Sequence, residues 1–294
     1  MKVSISFLLL LFSLLIGSNS FGQFSDSTLV NHHFKGEIIR AYGQSSTEVN
    51  HLLVGIKGGP GDAKIHISED QGRNWRILNQ GKALCDSCQD IQAVEFITDD
   101  IIIAGTWKNG LYHSIDRGEN FNKIDSFPSV DIRSIKINSS GDVYAATTTQ
   151  GIQISKDNGF NWENAFVNDP IGKFPAWYID IHPKNDSIMY GMSFKQEVMQ
   201  STDAGKNWHV SYSKPGIMCW DMSFADNGLT YIAGSGDSAS YIIYSFDEGD
   251  HWKEFEIDLP SACAIEVKEN LNHHELIVGS WGSGYQQFYP LYYD

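Results

Sequence analysis

The chain has 294 residues, and its 36 acidic and 21 basic residues give a formal net charge of −15 at pH 7. This balance argues against nucleic acid as a partner, because neutralising phosphates requires a basic patch. Hydrophobic residues make up 41% and aromatic residues 13%, a globular composition whose length fits one large all-β domain or two small ones.

The first predicted element is a secretory signal peptide over residues 1–22. Lys2 precedes an apolar run over residues 3–16, which is too short for a membrane anchor, and small residues follow up to Gly22. We therefore expect cleavage before Gln23 and a secreted or periplasmic mature chain. No later run of the sequence is apolar over the length of a membrane span.

An octet of pattern S-x-D-x-G-x-x-[WF] then recurs, with copies beginning at residues 68, 114, 155, 201 and 245. Its Asp accepts backbone N–H bonds, its Gly permits a positive φ, and its aromatic residue packs over the resulting turn. We therefore predict hairpin turns and assign a structural, non-catalytic role to the octet aspartates. These are Asp70, Asp116, Asp157, Asp203 and Asp247.

Strand patterns repeat around the octets. Each unit reads as strand, turn, strand, loop, strand, octet and strand, and six units fit after residue 34, the last without its outer strand. Four antiparallel strands at this period predict a six-bladed β-propeller. We expect residues 23–34 to supply the missing strand and close the ring, so that residues 23–294 form a single, monomeric domain.

The four cysteines give no metal or haem signature. Cys85 and Cys88 form a "CDSC" motif that lacks the second ligand pair of a zinc site and the histidine of a haem attachment. A disulfide between these two cysteines is possible in an exported protein, and Cys219 and Cys263 could form a second one. A structural disulfide or unpaired thiols are favoured over a redox function, because no βαβ context surrounds the motif. Histidine spacing also predicts no metal site, and we expect no cofactor.

The octet resembles the Asp-box, or BNR repeat, of sialidases, xyloglucan-active hydrolases, sortilin-type receptors and photosystem II assembly factors. The resemblance spans nearly the whole mature chain and implies a propeller with its octets on the rim away from the ligand. The sialidase mechanism is a poor match, because it needs three arginines from separate blades and this sequence has none after Arg133.

The opposite face is the predicted ligand face, and it carries every tryptophan outside the octets. These residues either plug the channel mouth or form a stacking platform for a sugar or peptide. The proposed ligand-binding set is Trp107, Trp177, Tyr178, Trp220, Trp281, Arg133, Gln92 and Lys57. Trp220 lies at the start of the inner strand of its unit. In the first unit, the corresponding residue is predicted to be Ile38 or Glu37.

Deeper in each inner strand, one position is polar in every unit. The residues assigned to it are Arg40, Glu95, Lys136, Asp180, Ser223 and Glu266. Their alternating signs predict ion pairs around the channel, with a catalytic Asp180–Glu266 pair as the less favoured reading.

These features favour a module that binds a glycan or an extracytoplasmic protein through the tryptophan-bearing face. The alternative is a glycoside hydrolase, which needs two carboxyl groups at a defined separation. Asp131 and Asp221 are the candidates for that pair. A third possibility, implied by the photosystem-factor resemblance, is an assembly factor that docks on a membrane complex.

Overall fold

The computed structural model describes Phe34 and residues 38–165, 175–269, 274–280 and 284–288. The predicted signal peptide and the part of the expected closing strand up to residue 33 lie outside the described residues. The described chain forms six sheets in which paired strands run antiparallel, which confirms the all-β prediction. A 3-10 turn spans Asn79–Gly81.

The strands follow one another along the chain, and the strands of each sheet pair in sequence order. The first sheet contains β1 (Ile38–Gln44), β2 (Leu52–Lys57), β3 (Ile65–Ser68) and β4 (Arg76–Ile77). The second contains β5 (Ile91–Phe96), β6 (Ile102–Thr106), β7 (Leu111–Ser114) and β8 (Asn122–Lys123). The third contains β9 (Ile132–Ile137), β10 (Val143–Thr147), β11 (Gly151–Ser155) and β12 (Glu163–Asn164).

The remaining sheets repeat this order. The fourth contains β13 (Ala176–Ile181), β14 (Met189–Ser193), β15 (Glu197–Ser201) and β16 (His209–Ser213). The fifth contains β17 (Met218–Phe224), β18 (Thr230–Ser235), β19 (Ser240–Ser245) and β20 (Lys253–Ile257). The sixth has three strands among the described residues: β21 (Ala262–Glu269), β22 (His274–Ser280) and β23 (Gly284–Phe288).

Two compact units divide the described chain. The N-terminal unit contains Phe34 and residues 38–165 and 175–179, and the C-terminal unit contains the described residues from 180 onward. The division falls within β13. Each unit has its own apolar core, built largely from the inner three strands of its sheets.

The second strand of a sheet is buried along its length, and a small residue lets the next sheet approach it. β6, β10 and β14 are buried at every position. A Cβ added at Gly105 in β6 would lie 2.7 Å from Ile132 Cβ and 2.9 Å from the Ile132 carbonyl oxygen. Because such distances are too short for real atoms, the small residue that ends the sequence pattern "IIIAG" is required by packing between sheets.

A β-bulge recurs in the inner strand. The register of β1 against β2 shifts between Ile39 and Ala41, which leaves Arg40 as the extra residue. The register shifts in the same way at Gln92 in β5 and at Arg133 in β9. In the C-terminal unit the extra residues are Trp220 and Cys263. A bulge redirects one side chain out of the regular alternation, so each of these sheets presents one variable residue at the same place.

The bulge shows that the sequence-based alignment of the first unit with the other units is wrong. Arg40, and neither Ile38 nor Glu37, corresponds to Gln92 and Trp220. Arg40 therefore does not belong to the deeper polar position, which Gly43 occupies in this sheet. A Cβ at Gly43 would lie 2.5 Å from the Val94 carbonyl oxygen, so close packing against β5 excludes a polar side chain there.

Every octet forms the same hydrogen-bonded turn between the third and fourth strands of a sheet. In the first copy Ser68 Oγ donates to Asp70 Oδ1 (2.9 Å) and accepts from the Gly72 amide (2.7 Å). The Asp70 carboxylate accepts from the backbone (2.8 Å) and side-chain (2.6 Å) N–H groups of Asn74. The seventh octet residue, absent from the pattern drawn from the sequence, thus completes the turn; it is Asn74, Asn120, Asn161, Asn207 or His251.

The fifth octet is anchored differently from the others that end in tryptophan. In the first copy the indole N–H of Trp75 donates to the carbonyl of Gly72 at 2.9 Å. In the fifth copy Trp252 donates to Ser211 Oγ of β16 (2.7 Å), and Ser211 donates to the Gly249 carbonyl (2.6 Å). This octet is therefore tied to the fourth sheet through a side chain.

We predict that Gly105→Ala lowers the free energy of unfolding by about 1–3 kcal/mol, because the added methyl group overpacks the contact with Ile132. Gly59→Ala is the matched control, since no heavy atom lies within 4 Å of the position that its methyl group would occupy. Urea unfolding of both variants measures the effect. Equal stabilities would contradict the packing argument.

We also predict that stability falls in acid as the octet turns are protonated. Backbone and side-chain hydrogen bonds from Asn74 lower the pKa of Asp70 from its ordinary value of 3.8 to about 2. The pKa of Asp247 is lowered to about 2 by the corresponding bonds from His251. A lowered carboxyl pKa gives stability that is present above pH 4 and is lost as the pH falls towards 2.

Urea midpoints of the wild type at pH 7, 4, 3 and 2 measure this loss, with Asp70→Asn as the comparison. The variant starts less stable at pH 7, and its further loss between pH 4 and pH 2 is smaller because one titrating group is gone. Parallel pH profiles for the two proteins would contradict the assignment.

Candidate functional site

Asp90 lies within a group of charged side chains in the N-terminal unit. It directly precedes β5, and its side chain is only 6% exposed. Its backbone carbonyl accepts from the amide of Trp107 (3.1 Å), and its backbone pairs with Lys57 in an isolated antiparallel bridge. These contacts fix a buried carboxylate at the end of β2 and at the start of the β6–β7 loop.

The bulge residues of the first two sheets both contact this carboxylate. Gln92 Nε2 donates to Asp90 Oδ2 at 2.7 Å. Arg40 Nε lies 3.7 Å from Asp90 Oδ1, which is an ion-pair distance and too long for a hydrogen bond. Both atoms of that ion pair are buried and make no hydrogen bond within the described part of the chain. The carboxylate is therefore only half satisfied by hydrogen bonds.

Burial raises the pKa of Asp90 from its ordinary value, although three cations oppose the shift. Arg40, Lys57 and Arg133 lower the pKa electrostatically, and the Gln92 hydrogen bond acts in the same direction. The net rise shows that desolvation outweighs the attraction of the cations.

Asp131 repeats the position of Asp90 in the next sheet. It directly precedes β9, and its carbonyl accepts from the Thr148 amide at 3.3 Å, as that of Asp90 accepts from Trp107. Its carboxylate lies 3.8 Å from Arg133 Nη2. Arg133 therefore interacts with both acids, and we call the whole group the Asp90 cluster. Its members are Arg40, Lys57, Asp90, Gln92, Asp131 and Arg133.

The loop that joins β6 to β7 borders the Asp90 cluster, and we call residues 107–110 the tryptophan loop. Trp107 is partly exposed, and the ammonium of Lys108 lies 4.3 Å from the centre of its ring system. With Lys108, four cations lie beside two carboxylates on this part of a chain whose overall charge is −15. Within the Asp90 cluster and the tryptophan loop, cations therefore outnumber carboxylates by four to two.

The remaining predicted site residues belong partly to each unit. In the N-terminal unit Trp177 is 9% exposed, and its ring lies 6.2 Å from that of the partly buried Tyr178. In the C-terminal unit the indole of Trp220 donates to Ser235 Oγ (2.9 Å), and the carboxylate of Asp221 accepts from the Ile265 amide (3.0 Å). Asp221 therefore joins two inner strands. Trp281 lies outside the described residues.

The C-terminal unit contains a separate groove of about 690 Å³ between the β18–β19 loop and the segment that follows β20. Its charged lining residues are all acidic: Asp237, Glu256 and Asp258. Among the described residues, no group of three or more His, Cys, Asp or Glu side chains could hold a metal ion. No helix in that part of the chain has the length and hydropathy of a membrane span.

The sequence contains a pattern that points to Asp90 and that lies outside the octets and the tryptophans. An aspartate directly precedes the inner-strand motif in both "DIQAVEF" and "DIRSIKI". Asp90 is absent from the predicted acids, which are Asp131 and Asp221, with Asp180 and Glu266 as the less favoured pair. Arg40 was placed in the wrong frame, so its approach to Asp90 could not be predicted.

Solved structures place the fold among β-propellers. The chain aligns over 86% of its length with the β-propeller domain of Myceliophteria thermophila Cps50 (Swd1), at TM-score 0.61 and 11% identity, and covers 84% of that chain. It aligns over 89% with YCF48 bound to D1 peptide, at TM-score 0.60 and 15% identity, and covers 81% of that chain.

An ancestral GH74 enzyme is also similar, at TM-score 0.66 and 15% identity over 82% of the chain, which spans only 35% of that enzyme. No family model matches the sequence, and no curated protein matches it. At these identities the similarity defines a class of fold, the β-propeller, and no more.

We predict that the Asp90 carboxyl titrates above 3.8 and that Arg40→Met raises its pKa further, because Arg40 is the strongest of the cations that lower it. Carbon-13 NMR of aspartate-labelled protein measures the titration. Arg73→Met, at an exposed octet position, is the matched control and should leave Asp90 unchanged. A lower pKa in Arg40→Met would contradict the assigned interaction.

Proposed function

We propose that the chain is an exported binding module that holds an acidic peptide segment of a partner protein at the Asp90 cluster. The observation that carries this proposal is the convergence of Arg40, Lys57 and Arg133 on one site of a strongly acidic protein. A patch of the opposite sign to the rest of the molecule attracts an anionic ligand and fixes its orientation.

The chemistry of the cluster suits a carboxylate. The side chains of Arg40 and Arg133 are 28% and 34% exposed, so a ligand can reach them while Asp90 and Asp131 hold them in place. Trp107 adds a partly exposed aromatic surface beside them. Held in this way, the arginines lose less rotamer entropy on binding.

Within this proposal the six sheets are the six blades of a propeller, and the octets are Asp-box turns. Residues 23–34 close the ring, and the signal peptide at residues 1–22 directs export. The similarity to YCF48 supports a protein ligand, since that protein was solved with a peptide and shares the fold over most of its length.

A glycoside hydrolase is the second candidate, and one observation favours it. Burial raises the pKa of Asp90, as suits a general acid, and Asp131 occupies the same position in the adjacent sheet. This pair replaces the Asp131–Asp221 pair that the sequence suggests, because the Asp221 carboxylate is engaged by the backbone of β21. The similarity to the GH74 enzyme agrees with this alternative.

Fluorescence anisotropy with a fluorescein-labelled hexaglutamate peptide tests the binding proposal. We predict that Arg40→Met and Arg133→Met each weaken the affinity by about tenfold, since one charge-assisted hydrogen bond contributes about 1.5–3 kcal/mol. Arg73→Met should bind as the wild type does. Equal affinities for Arg133→Met and the wild type, with unchanged melting temperatures, would reject the site.

Hydrolysis assays on a panel of neutral and acidic oligosaccharides separate the two candidates. A binding module cleaves none of them. Turnover by the wild type that Asp90→Asn abolishes, without a change in melting temperature, would replace the binding proposal with the hydrolase.

A further inference from the structure

We propose that the Cys85–Cys88 disulfide is a thiol–disulfide exchange site whose redox state controls the affinity of the Asp90 cluster. The disulfide closes a loop with a sequence separation of 3, and that loop ends two residues before Asp90. The control of affinity rests on the proposed function, whereas the exchange chemistry does not.

The two sulfurs differ in accessibility, which sets the direction of attack. Cys85 is partly exposed and is flanked by the exposed Asp86, whereas Cys88 is fully buried. An incoming thiolate can therefore reach Cys85 Sγ, and Cys88 becomes the leaving group.

A polar group is already placed to stabilise the leaving thiolate. The side-chain amide of Asn109, in the tryptophan loop, donates to Cys85 Sγ (3.3 Å) and lies 3.5 Å from Cys88 Sγ. The same amide donates to Ser87 Oγ at 2.8 Å. A hydrogen bond to the charged form of a group favours that form, so Asn109 lowers the free energy of the reduced, thiolate-bearing loop.

Backbone hydrogen bonds connect the disulfide loop to the elements that carry the site. The Gly61 amide donates to the Cys88 carbonyl (3.0 Å), and the Gly58 amide, next to Lys57, donates to the Gln89 carbonyl (2.7 Å). On the other side, the Trp107 amide donates to the carbonyl of Asp90 (3.1 Å). Freeing the loop therefore loosens both Lys57 and the tryptophan loop.

The exchange needs an external dithiol as the reductant. Its thiolate attacks Cys85 Sγ and forms a mixed disulfide as the Cys85–Cys88 bond breaks, and Cys88 leaves as a thiolate that takes up a proton. The second thiol of the dithiol then attacks the reagent sulfur that is bonded to Cys85. A disulfide forms within the reagent, and Cys85 is released as a thiolate that takes up a proton. The protein pair gains two electrons and two protons, and the dithiol is oxidised to a disulfide.

The other two cysteines do not compete for this chemistry. Cys219 is buried and Cys263 is half-buried, and burial raises the pKa of each thiol to about 12. Both therefore stay protonated at neutral pH and are poor nucleophiles. Exchange is confined to the loop beside the Asp90 cluster.

Dithiothreitol titration of the native, full-length chain, followed by alkylation and peptide mass mapping, tests the exchange. The bond should be reduced at millimolar dithiol without denaturant. Oxidised glutathione should form a mixed disulfide with Cys88→Ser, which retains Cys85, at least about tenfold faster than with Cys85→Ser, which retains buried Cys88. Two results would reject the exchange site: reduction of the disulfide only after unfolding, or equal rates of mixed-disulfide formation for the two variants. The disulfide would then be a structural cross-link.

Binding of labelled hexaglutamate before and after reduction tests the control. Reduction should weaken the affinity by about fivefold or more, the lower range of measured couplings, and Cys85→Ser/Cys88→Ser should be weak and insensitive to dithiothreitol. Unchanged affinity after complete reduction would overturn the control. Failure to bind in either state would also overturn it, together with the proposed function, while the mass-mapping result would still decide whether exchange occurs.

Discussion

Close packing between sheets depends on glycines where the second strand of one sheet meets the first strand of the next. Gly55 faces Ile91 and Gly105 faces Ile132 at distances that leave no room for a methyl group. The inner strands can approach this closely only because the second strands carry small residues at that point. The same approach brings the bulge residues of neighbouring sheets, Arg40, Gln92 and Arg133, to one cluster.

Function on such a scaffold resides in the residues that the repeat does not constrain. The bulge position holds arginine, glutamine, tryptophan or cysteine, whereas the residue directly before it is apolar in each of these sheets: Ile39, Ile91, Ile132, Cys219 or Ala262. A buried acid such as Asp90 would destabilise an ordinary strand end, and here the surrounding cations partly offset its desolvation. In the proposed binding module, stability and binding therefore draw on different positions of the same strand.

The fold could be inferred from the sequence wherever a local pattern has a local cause. The octet determines its own turn, because Ser68, Asp70 and Gly72 bond to one another within five residues. The seventh octet position does not hold one residue type, because four copies have asparagine and the fifth has His251.

The candidate site could be inferred only in part. Gln92, Arg133, Lys57 and Trp107 were proposed from their places in the repeat, but the ion pair of Arg40 with Asp90 depends on a one-residue bulge. A bulge adds a residue without changing the apolar pattern, so the first sheet, which has the least regular motif, was read in the wrong frame. Contacts between sheets, such as Asp221 with the Ile265 amide, have no signature in either strand alone.

The hydrogen bonds of the fifth octet affect how the C-terminal unit unfolds. Its Glu248 carbonyl accepts from Tyr190 of β14 at 2.6 Å, and Trp252 and Gly249 both bond to Ser211 of β16. Fraying of β16 at the edge of its sheet would thus remove the Ser211 anchors of the turn of the following sheet, while the bond from Tyr190 of β14 would remain. Backbone amides of the fourth and fifth sheets should therefore exchange with solvent in one cooperative opening, because these hydrogen bonds couple the two sheets.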